Sequence, residues 1–147
     1  MFANVLIVCH ANVCRSPTAE MLFKARQRRM MAAPVAFHSA GLRARAGAGM
    51  DPVMRRLLAE RGVEAGVHQA RRLDRRIVRE AELVLVTERS QVKAVEALDP
   101  AARGKVYPLG QWEGTDVDDP HGGNEREYRD SLGLIEHLVM GWLDKIC

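Results

Sequence analysis

The stretch Val5-Leu6-Ile7-Val8-Cys9-His10-Ala11-Asn12-Val13-Cys14-Arg15-Ser16-Pro17 decides the fold of this chain. Its first four residues are branched and apolar, which predicts a buried strand. Pro17 is typical of a first helical position, and Ser16 before it is typical of an N-cap. A strand that passes through a tight loop into a helix brings loop N–H groups and the helix dipole to one point. The stretch therefore predicts an anion-binding loop between the first strand and the first helix.

A cysteine opens this loop and an arginine closes it, in the pattern Cys-x5-Arg-Ser. The Cys9 thiol is a nucleophile only as a thiolate, which helix N-termini and neighbouring cations favour. The Arg15 guanidinium is a planar fork that can hold two phosphate oxygens while the sulfur attacks. The spacing predicts phosphoryl transfer to sulfur. The alternative is a buried structural cysteine with an unrelated arginine.

The composition is that of an ordinary globular protein. A chain of 147 residues has room for one core, so residues 1–147 are interpreted as a single domain. Three cysteines argue against a disulfide framework, and the N-terminus enters the first strand without a basic segment or cleavage site, so we expect a cytoplasmic protein. The net charge of +3 comes from scattered arginines, and no apolar run is long enough to span a bilayer. We expect neither nucleic-acid binding nor membrane insertion, and the oligomeric state stays open.

The rest of the chain alternates between predicted helices and strands. Helices are predicted over 17–31, 52–61, 74–81, 90–98 and 125–145, and strands over 5–8, 35–38, 83–86 and 105–109. This alternation predicts an α/β three-layer sandwich, with a four-stranded parallel sheet and helices on both faces. Sites in such sheets lie beyond the C-terminal ends of the strands. Cys9, Ser39 and the acidic loop over 110–123 follow the first, second and fourth strands, so they should converge there.

Transfer from an aryl phosphate requires an acid that protonates the leaving oxygen. The loop Val117-Asp118-Asp119-Pro120-His121-Gly122 offers two adjacent carboxylates, with a proline that stiffens the loop and glycines that allow it to move. The alternative is that both are ordinary turn-forming acids. The histidines show no metal-ligand spacing, so we expect no metal. These are four of the five histidines, namely His10, His38, His121 and His137.

The segment Cys9 to Ser16, followed by Pro17-Thr18-Ala19-Glu20, resembles the phosphate loop of the low-molecular-weight protein tyrosine phosphatases, whose pattern is C-x-G-N-x-C-R-S-P. Ala11 stands where that family usually has glycine. The resemblance implies strand order 2-1-3-4 and cofactor-free hydrolysis of protein phosphotyrosine through a cysteinyl phosphate. The Asp-Pro motif of the family corresponds to Asp119-Pro120, so Asp119 is the expected general acid, with Asp118 as the alternative. The same aspartate would then activate water.

The resemblance also assigns the other loop residues. Phosphate binding falls to the segment made of His10, Ala11, Asn12, Val13, Cys14 and Arg15. Ser16 would donate to the Cys9 thiolate, in addition to its expected role as N-cap. Asn12 would brace the loop in a left-handed conformation, held by Ser39 and His68.

Two further assignments concern redox control and specificity. Cys14 could close a reversible disulfide with Cys9 under peroxide, or be a small buried filler. The family usually lines the pocket mouth with aromatic side chains, including a tyrosine after the Asp-Pro pair. Here the expected mouth residues are Leu42, Arg43, Arg45 and His121. This more basic mouth is similar to the bacterial branch that acts on tyrosine kinases of exopolysaccharide export, so such a kinase is the partner that the resemblance suggests.

Three competing interpretations are weighed against this one. An arsenate reductase uses the same loop but needs further cysteines near the third strand, and Leu83 to Arg89 contains none. A sugar-phosphotransfer carrier with a phosphocysteine needs neither a general acid nor the Arg-Ser closure. The third interpretation is a phosphotyrosine-binding module without turnover, although no group needed for turnover is missing from the sequence.

Overall fold

The computed structural model of the chain describes residues 2–27 and 34–146. The strands are β1 (Asn4–Cys9), β2 (Ala36–Gly41), β3 (Leu83–Val86) and β4 (Val106–Pro108). The helices are α1 (Arg15–Gln27), α2 (Pro52–Glu60), α3 (Arg75–Glu80), α4 (Gln91–Leu98) and α5 (Glu125–Ile146), and a short 3-10 helix covers Pro100–Ala102. All strand pairs are parallel, in the order β2-β1-β3-β4. The expected α/β architecture and strand order are confirmed.

The alternation of β1 side chains divides the core into two layers. Val5 and Ile7 pack in one cluster with residues of α1, α2 and α5. Leu6 and Val8 pack in a second cluster with residues of α3 and α4. Both faces of the strand are therefore covered, which explains why its sequence is continuously apolar.

Helix α1 begins earlier than the sequence pattern predicts. The N–H of Thr18 donates to the carbonyl of Cys14 at 3.1 Å, so the first helical turn already includes Arg15 and Ser16. The expected N-cap role of Ser16 is therefore wrong, and Pro17 is tolerated because a first-turn residue needs no N–H partner. The predicted C-terminal part of this helix, from 28 to 31, lies outside the described residues.

Strand β2 continues past His38 to Gly41, so Ser39 lies within the strand, opposite Ile7, rather than after it. The last pair of the ladder is Cys9 with Gly41. A Cβ atom on Gly41 would lie 2.8 Å from the carbonyl oxygen of His10, so only glycine allows this strand end to approach the loop. The C-terminal end of β2 is thereby packed directly against the segment that follows β1. None of the helices in the described part of the chain is long and apolar enough to cross a membrane.

Candidate active site

The loop from His10 to Cys14 connects the buried end of β1 to the first turn of α1. Cys9 is the last residue of β1 and is only 2% exposed. Asn12 has a φ of 57°, the left-handed conformation that asparagine tolerates better than most residues. Ala11 is not among the residues with positive φ, so its methyl group does not force this strain. The loop therefore accommodates alanine where the resembling family usually has glycine.

The Cys9 sulfur lies between two hydrogen-bond donors. The backbone N–H of Asn12 donates to Sγ at 3.3 Å, and the Ser16 hydroxyl oxygen lies 2.9 Å from it. That oxygen also accepts from Asn12 Nδ2 at 2.9 Å, which leaves the hydroxyl hydrogen to point at the sulfur. Donors aimed at a sulfur favour the anionic over the neutral form.

Asn12 is completely buried, and hydrogen bonds hold its side chain on every side. Its Nδ2 donates to Ser16 Oγ and to Ser39 Oγ, each at 2.9 Å. Its Oδ1 accepts the Arg71 N–H at 3.0 Å, and its backbone carbonyl lies 2.7 Å from His68 Nε2. The left-handed turn is thus tied to β2 and to the segment after α2.

Glu20 and Arg71 belong to this network but are not predicted from the sequence. The Glu20 carboxylate on α1 accepts a hydrogen bond from Ser39, and Arg71 donates from Nε to the Ser39 carbonyl at 3.0 Å. The sequence signals were weak, because Glu20 occupies an ordinary helical position and Arg71 acts on Asn12 through its main chain. Together they surround the Asn12–Ser39 contact with further polar partners.

Arg15 is 3% exposed and its guanidinium is held from two sides. Nη1 donates to the Glu88 carboxylate at 2.7 Å and to the Val117 carbonyl at 2.8 Å. Glu88 is another residue that sequence reasoning missed, although a carboxylate two residues after β3 is a usable signal at this sheet edge. Its own Oε2 accepts from Gln91 Nε2 at 3.3 Å, which fixes its position. The arginine is therefore oriented before any anion arrives.

The two candidate acids differ in their contacts. Asp119 Oδ2 lies 3.9 Å from Arg15 Nη2, and its Oδ1 accepts the His121 N–H at 3.1 Å. The Asp119 side chain is 48% exposed, so it can meet solvent or substrate. Asp118 is exposed and makes no hydrogen bond or ion pair with the described residues. The structure therefore places Asp119, and not Asp118, within 3.9 Å of the arginine.

The predicted mouth residues occupy different environments. His121 Nδ1 lies 2.7 Å from Asp51 Oδ2, which also accepts from the Tyr128 hydroxyl at 2.8 Å. Burial opposes ionisation of Asp51, but hydrogen bonds from His121 and Tyr128, together with the backbone N–H groups of Met54 and Val53, hold the pKa of this carboxyl below its usual value. Leu42 is half-buried against the second core cluster. Arg43 and Arg45 are exposed, and the Arg43 N–H donates to the His10 carbonyl at 2.8 Å.

Cys14 differs from Cys9 in its surroundings. It is 3% exposed and packs within the first core cluster. Burial, and then the negative charges of Asp51 and Asp119, raise the pKa of the Cys14 thiol far above its usual value. These surroundings disfavour ionisation of Cys14, which leaves Cys9 as the sulfur suited to attack on phosphorus. In residues 2–27 and 34–146, no three His, Cys, Asp or Glu side chains are grouped as a metal site requires.

The chain is similar to known proteins along its whole length. A model of the family described as low molecular weight phosphotyrosine protein phosphatase matches residues 4–147. A probable low molecular weight protein-tyrosine-phosphatase, EpsP from Ralstonia solanacearum, is 33% identical over 147 residues, which cover 99% of this chain and 97% of that protein.

Solved structures give the same result. The Erwinia amylovora tyrosine phosphatase AmsI superposes with a TM-score of 0.91 at 30% identity, covering 99% of this chain and 93% of that one. The arginine phosphatase YwlE from Geobacillus stearothermophilus gives a TM-score of 0.88 at 28% identity, covering 97% and 91%. These similarities support a phosphatase over an arsenate reductase or a binding module. With its Cys-x5-Arg-Ser loop at the end of β1 and its β2-β1-β3-β4 sheet, the chain belongs to the low molecular weight phosphotyrosine protein phosphatases.

Proposed function

We propose that this protein hydrolyses phosphotyrosine in protein substrates with Cys9 as the nucleophile. The observation that carries the proposal is the pair of donors on the Cys9 sulfur, beneath a loop that the buried Arg15 closes. The thiolate attacks phosphorus, the bond from phosphorus to the tyrosyl oxygen breaks, and a cysteinyl phosphate forms. Arg15 and the loop N–H groups balance the charge on the phosphoryl oxygens.

Asp119 completes the first step and begins the second. Its protonated carboxyl delivers the proton to the tyrosyl oxygen as that bond breaks, and the resulting carboxylate then takes a proton from water. The water oxygen attacks phosphorus, the phosphorus–sulfur bond breaks, and inorganic phosphate leaves. Its position 3.9 Å from Arg15 supports this assignment over Asp118, which is also exposed but has no such contact.

Ser16 and Glu88 act through other residues. The Ser16 hydroxyl donates to the sulfur as it regains negative charge in the second step, which makes the thiolate a better leaving group. Glu88 positions Arg15, because a guanidinium fixed at Nη1 presents its remaining N–H groups in one direction.

The partner proposed is a bacterial tyrosine kinase of exopolysaccharide export, in the cytoplasm, where Cys9 stays reduced. Its support is the resemblance of the loop and mouth to that bacterial branch, together with the names of EpsP and AmsI as tyrosine phosphatases. The identity of the phosphorylated residue is tested separately from the partner, because YwlE is an arginine phosphatase of the same fold.

Purified protein should hydrolyse p-nitrophenyl phosphate in the presence of EDTA, and vanadate should inhibit it. It should release phosphate from a phosphotyrosine peptide much faster than from a phosphoarginine peptide of the same sequence. Faster hydrolysis of the phosphoarginine peptide would contradict the proposed substrate, and loss of turnover on chelation would contradict the proposed chemistry.

We also propose that Cys14 protects Cys9 by forming a disulfide with it after mild oxidation. Peroxide first converts the Cys9 thiolate to a sulfenic acid. The Cys14 sulfur then attacks the Cys9 sulfur, the sulfur–oxygen bond breaks, and the Cys14 proton leaves with the hydroxyl group as water; because burial disfavours the Cys14 thiolate, this step should be slower than attack by an exposed thiol. Both cysteines are free thiols in the structure. Mass spectrometry after mild peroxide should find the two peptides joined and activity restored by dithiothreitol. Recovery of Cys9 only as sulfinic or sulfonic acid would contradict this role.

A further inference from the structure

Four exposed arginines, Arg43, Arg45, Arg71 and Arg72, belong to two segments that border the phosphate loop on the β2 side. None of them forms an ion pair with a carboxylate in the described part of the chain, whereas most arginines on the helices do. The neighbouring Asp74 accepts the Ile77 N–H at 2.8 Å as the N-cap of α3. We call this set the arginine rim.

The rim is built on two segments that are hydrogen-bonded to each other. The Gly47 N–H donates to the Ala70 carbonyl at 2.9 Å, and the Ala70 N–H donates to the Ala48 carbonyl at 2.8 Å. At the end of β2, Gly41 pairs with Arg72 in a parallel bridge. The main chain on which the arginines stand is therefore fixed.

The same segments contact the phosphate loop directly. The Arg43 N–H donates to the His10 carbonyl at 2.8 Å, and the Arg71 N–H donates to Asn12 Oδ1 at 3.0 Å. The rim therefore borders the phosphate loop, and it lies within reach of a peptide that is bound through its phosphotyrosine and leaves the site on the β2 side.

Strand order makes the charge around the site asymmetric. β1 ends at Cys9 in the middle, β2 leads to the arginine rim on one side, and β3 and β4 lead to the other side. That other side carries the carboxylates of Glu88 and Asp119, which flank the Arg15 guanidinium, and of Asp116, which is paired with Arg89. The rim arginines have no such counter-charges among the described residues, so the uncompensated positive charge lies on the rim side and attracts anionic groups there.

We propose that the arginine rim selects phosphotyrosine peptides with further anionic groups next to the phosphotyrosine. The inference rests on the proposed function and specifies its substrate class. The anionic group is a carboxylate or a second phosphate, since guanidinium binds both.

The test compares three phosphotyrosine peptides that differ only at the positions next to the phosphotyrosine. These positions are neutral in the first peptide, acidic in the second, and include a second phosphotyrosine in the third. The ratio of kcat/KM for the anionic peptides over the neutral peptide is measured at low and high salt. Binding of the same peptides to Cys9→Ser is measured by fluorescence polarisation, so the preference is also read without turnover. Hydrolysis of p-nitrophenyl phosphate tests the proposed function independently, because this substrate has no neighbouring residues.

The variants are Arg45→Gln and Arg72→Gln, alone and together, because Arg71 also holds Ser39 and Asn12. The matched control is Arg103→Gln, which removes the same charge from an exposed arginine before β4, at the opposite edge of the sheet. We expect each rim variant to lower the anionic-to-neutral ratio by roughly 1.5- to 5-fold at low salt. High salt should lower the wild-type ratio towards one.

The anionic peptide with the larger kcat/KM ratio over the neutral peptide, either the acidic one or the one with a second phosphotyrosine, identifies the anion that the rim prefers. Either outcome supports the proposal. Equal rates and equal binding for all three peptides would overturn it, even with full activity on p-nitrophenyl phosphate. An equal loss in Arg103→Gln would also overturn it, because net charge alone would then explain the preference. Absence of turnover with a retained binding preference would contradict the proposed function and leave the rim supported.

Discussion

The phosphate loop and the acid loop meet at the same site but are built in opposite ways. Asn12, Ser16 and Arg15 are buried and hydrogen-bonded from several elements. Asp119 is half-exposed and contacts Arg15 only at 3.9 Å. A group that must hold the phosphoryl charge benefits from being fixed in advance, whereas a group that delivers a proton must meet each substrate as it arrives. The difference teaches that binding and proton transfer here have separate structural supports.

The largest expected effect follows from removing the sulfur that the buried loop positions. Cys9→Ser should lower turnover of p-nitrophenyl phosphate to the background rate, because a serine hydroxyl in this loop has no base to ionise it. The same variant should still bind vanadate or phosphate in isothermal titration calorimetry, since Arg15 and the loop N–H groups remain. Residual turnover near the wild-type level would contradict the nucleophile assignment.

The next effect tests the exposed loop. Asp119→Asn should lower kcat by about 100-fold or more, because general acid catalysis typically contributes this much. The loss should be greater for phenyl phosphate than for p-nitrophenyl phosphate, because a good leaving group needs little protonation.

Asp118→Asn is the matched control, since it removes the same charge from the adjacent position. Steady-state kinetics with phenyl phosphate and p-nitrophenyl phosphate decide whether Asp119 or Asp118 is the general acid. A stronger leaving-group dependence in Asp118→Asn would show that the acid assignment is wrong.

A smaller effect probes how the buried loop is held. Glu88→Gln should lower kcat/KM by about 10-fold, because the charge-assisted bond to Arg15 contributes roughly 1.5 kcal/mol or more. The KM for p-nitrophenyl phosphate and the inhibition constant for vanadate should both rise. Glu80→Gln, on the surface of α3, is the matched control and should change neither constant. An equal effect of the two variants would contradict the positioning role of Glu88.

The smallest effect concerns the contact between the acid loop and Asp51, the N-cap of α2, and its contribution to stability at low pH. Because the folded-state pKa of Asp51 is lowered, its carboxylate contributes stability that is fully present above its ordinary pKa of about 4 and is lost as the pH falls below it. Asp51→Asn should therefore reduce the free energy of unfolding at pH 7 more than at pH 3.

Urea denaturation at the two pH values measures the difference. A wild-type advantage over Asp51→Asn that is equal at pH 3 and pH 7 would contradict the ionised contact with His121 and Tyr128.

Local patterns were sufficient where neighbouring residues decide the structure. The continuous apolar run of β1 and the helix spacing of α5 predict their elements closely, because burial on one or both faces leaves a direct periodic signal. The N-cap assignment of Ser16 failed because α1 already includes Arg15 and Ser16, and the Ser16 hydroxyl bonds to Cys9 and Asn12 of the preceding loop instead.

By itself, the sequence determined the order of strands and helices along the chain, the Cys-x5-Arg-Ser loop and the Asp-Pro segment. Each of these features depends on residues that are close together in the chain. Only the tertiary structure decided that Glu88 orients Arg15, that His121 contacts Asp51, and that the arginine rim adjoins the phosphate loop. Each of these contacts joins residues or segments that are far apart in the chain. Spacing does not encode such pairs, because their distance is set by how the whole sheet and its helices pack together.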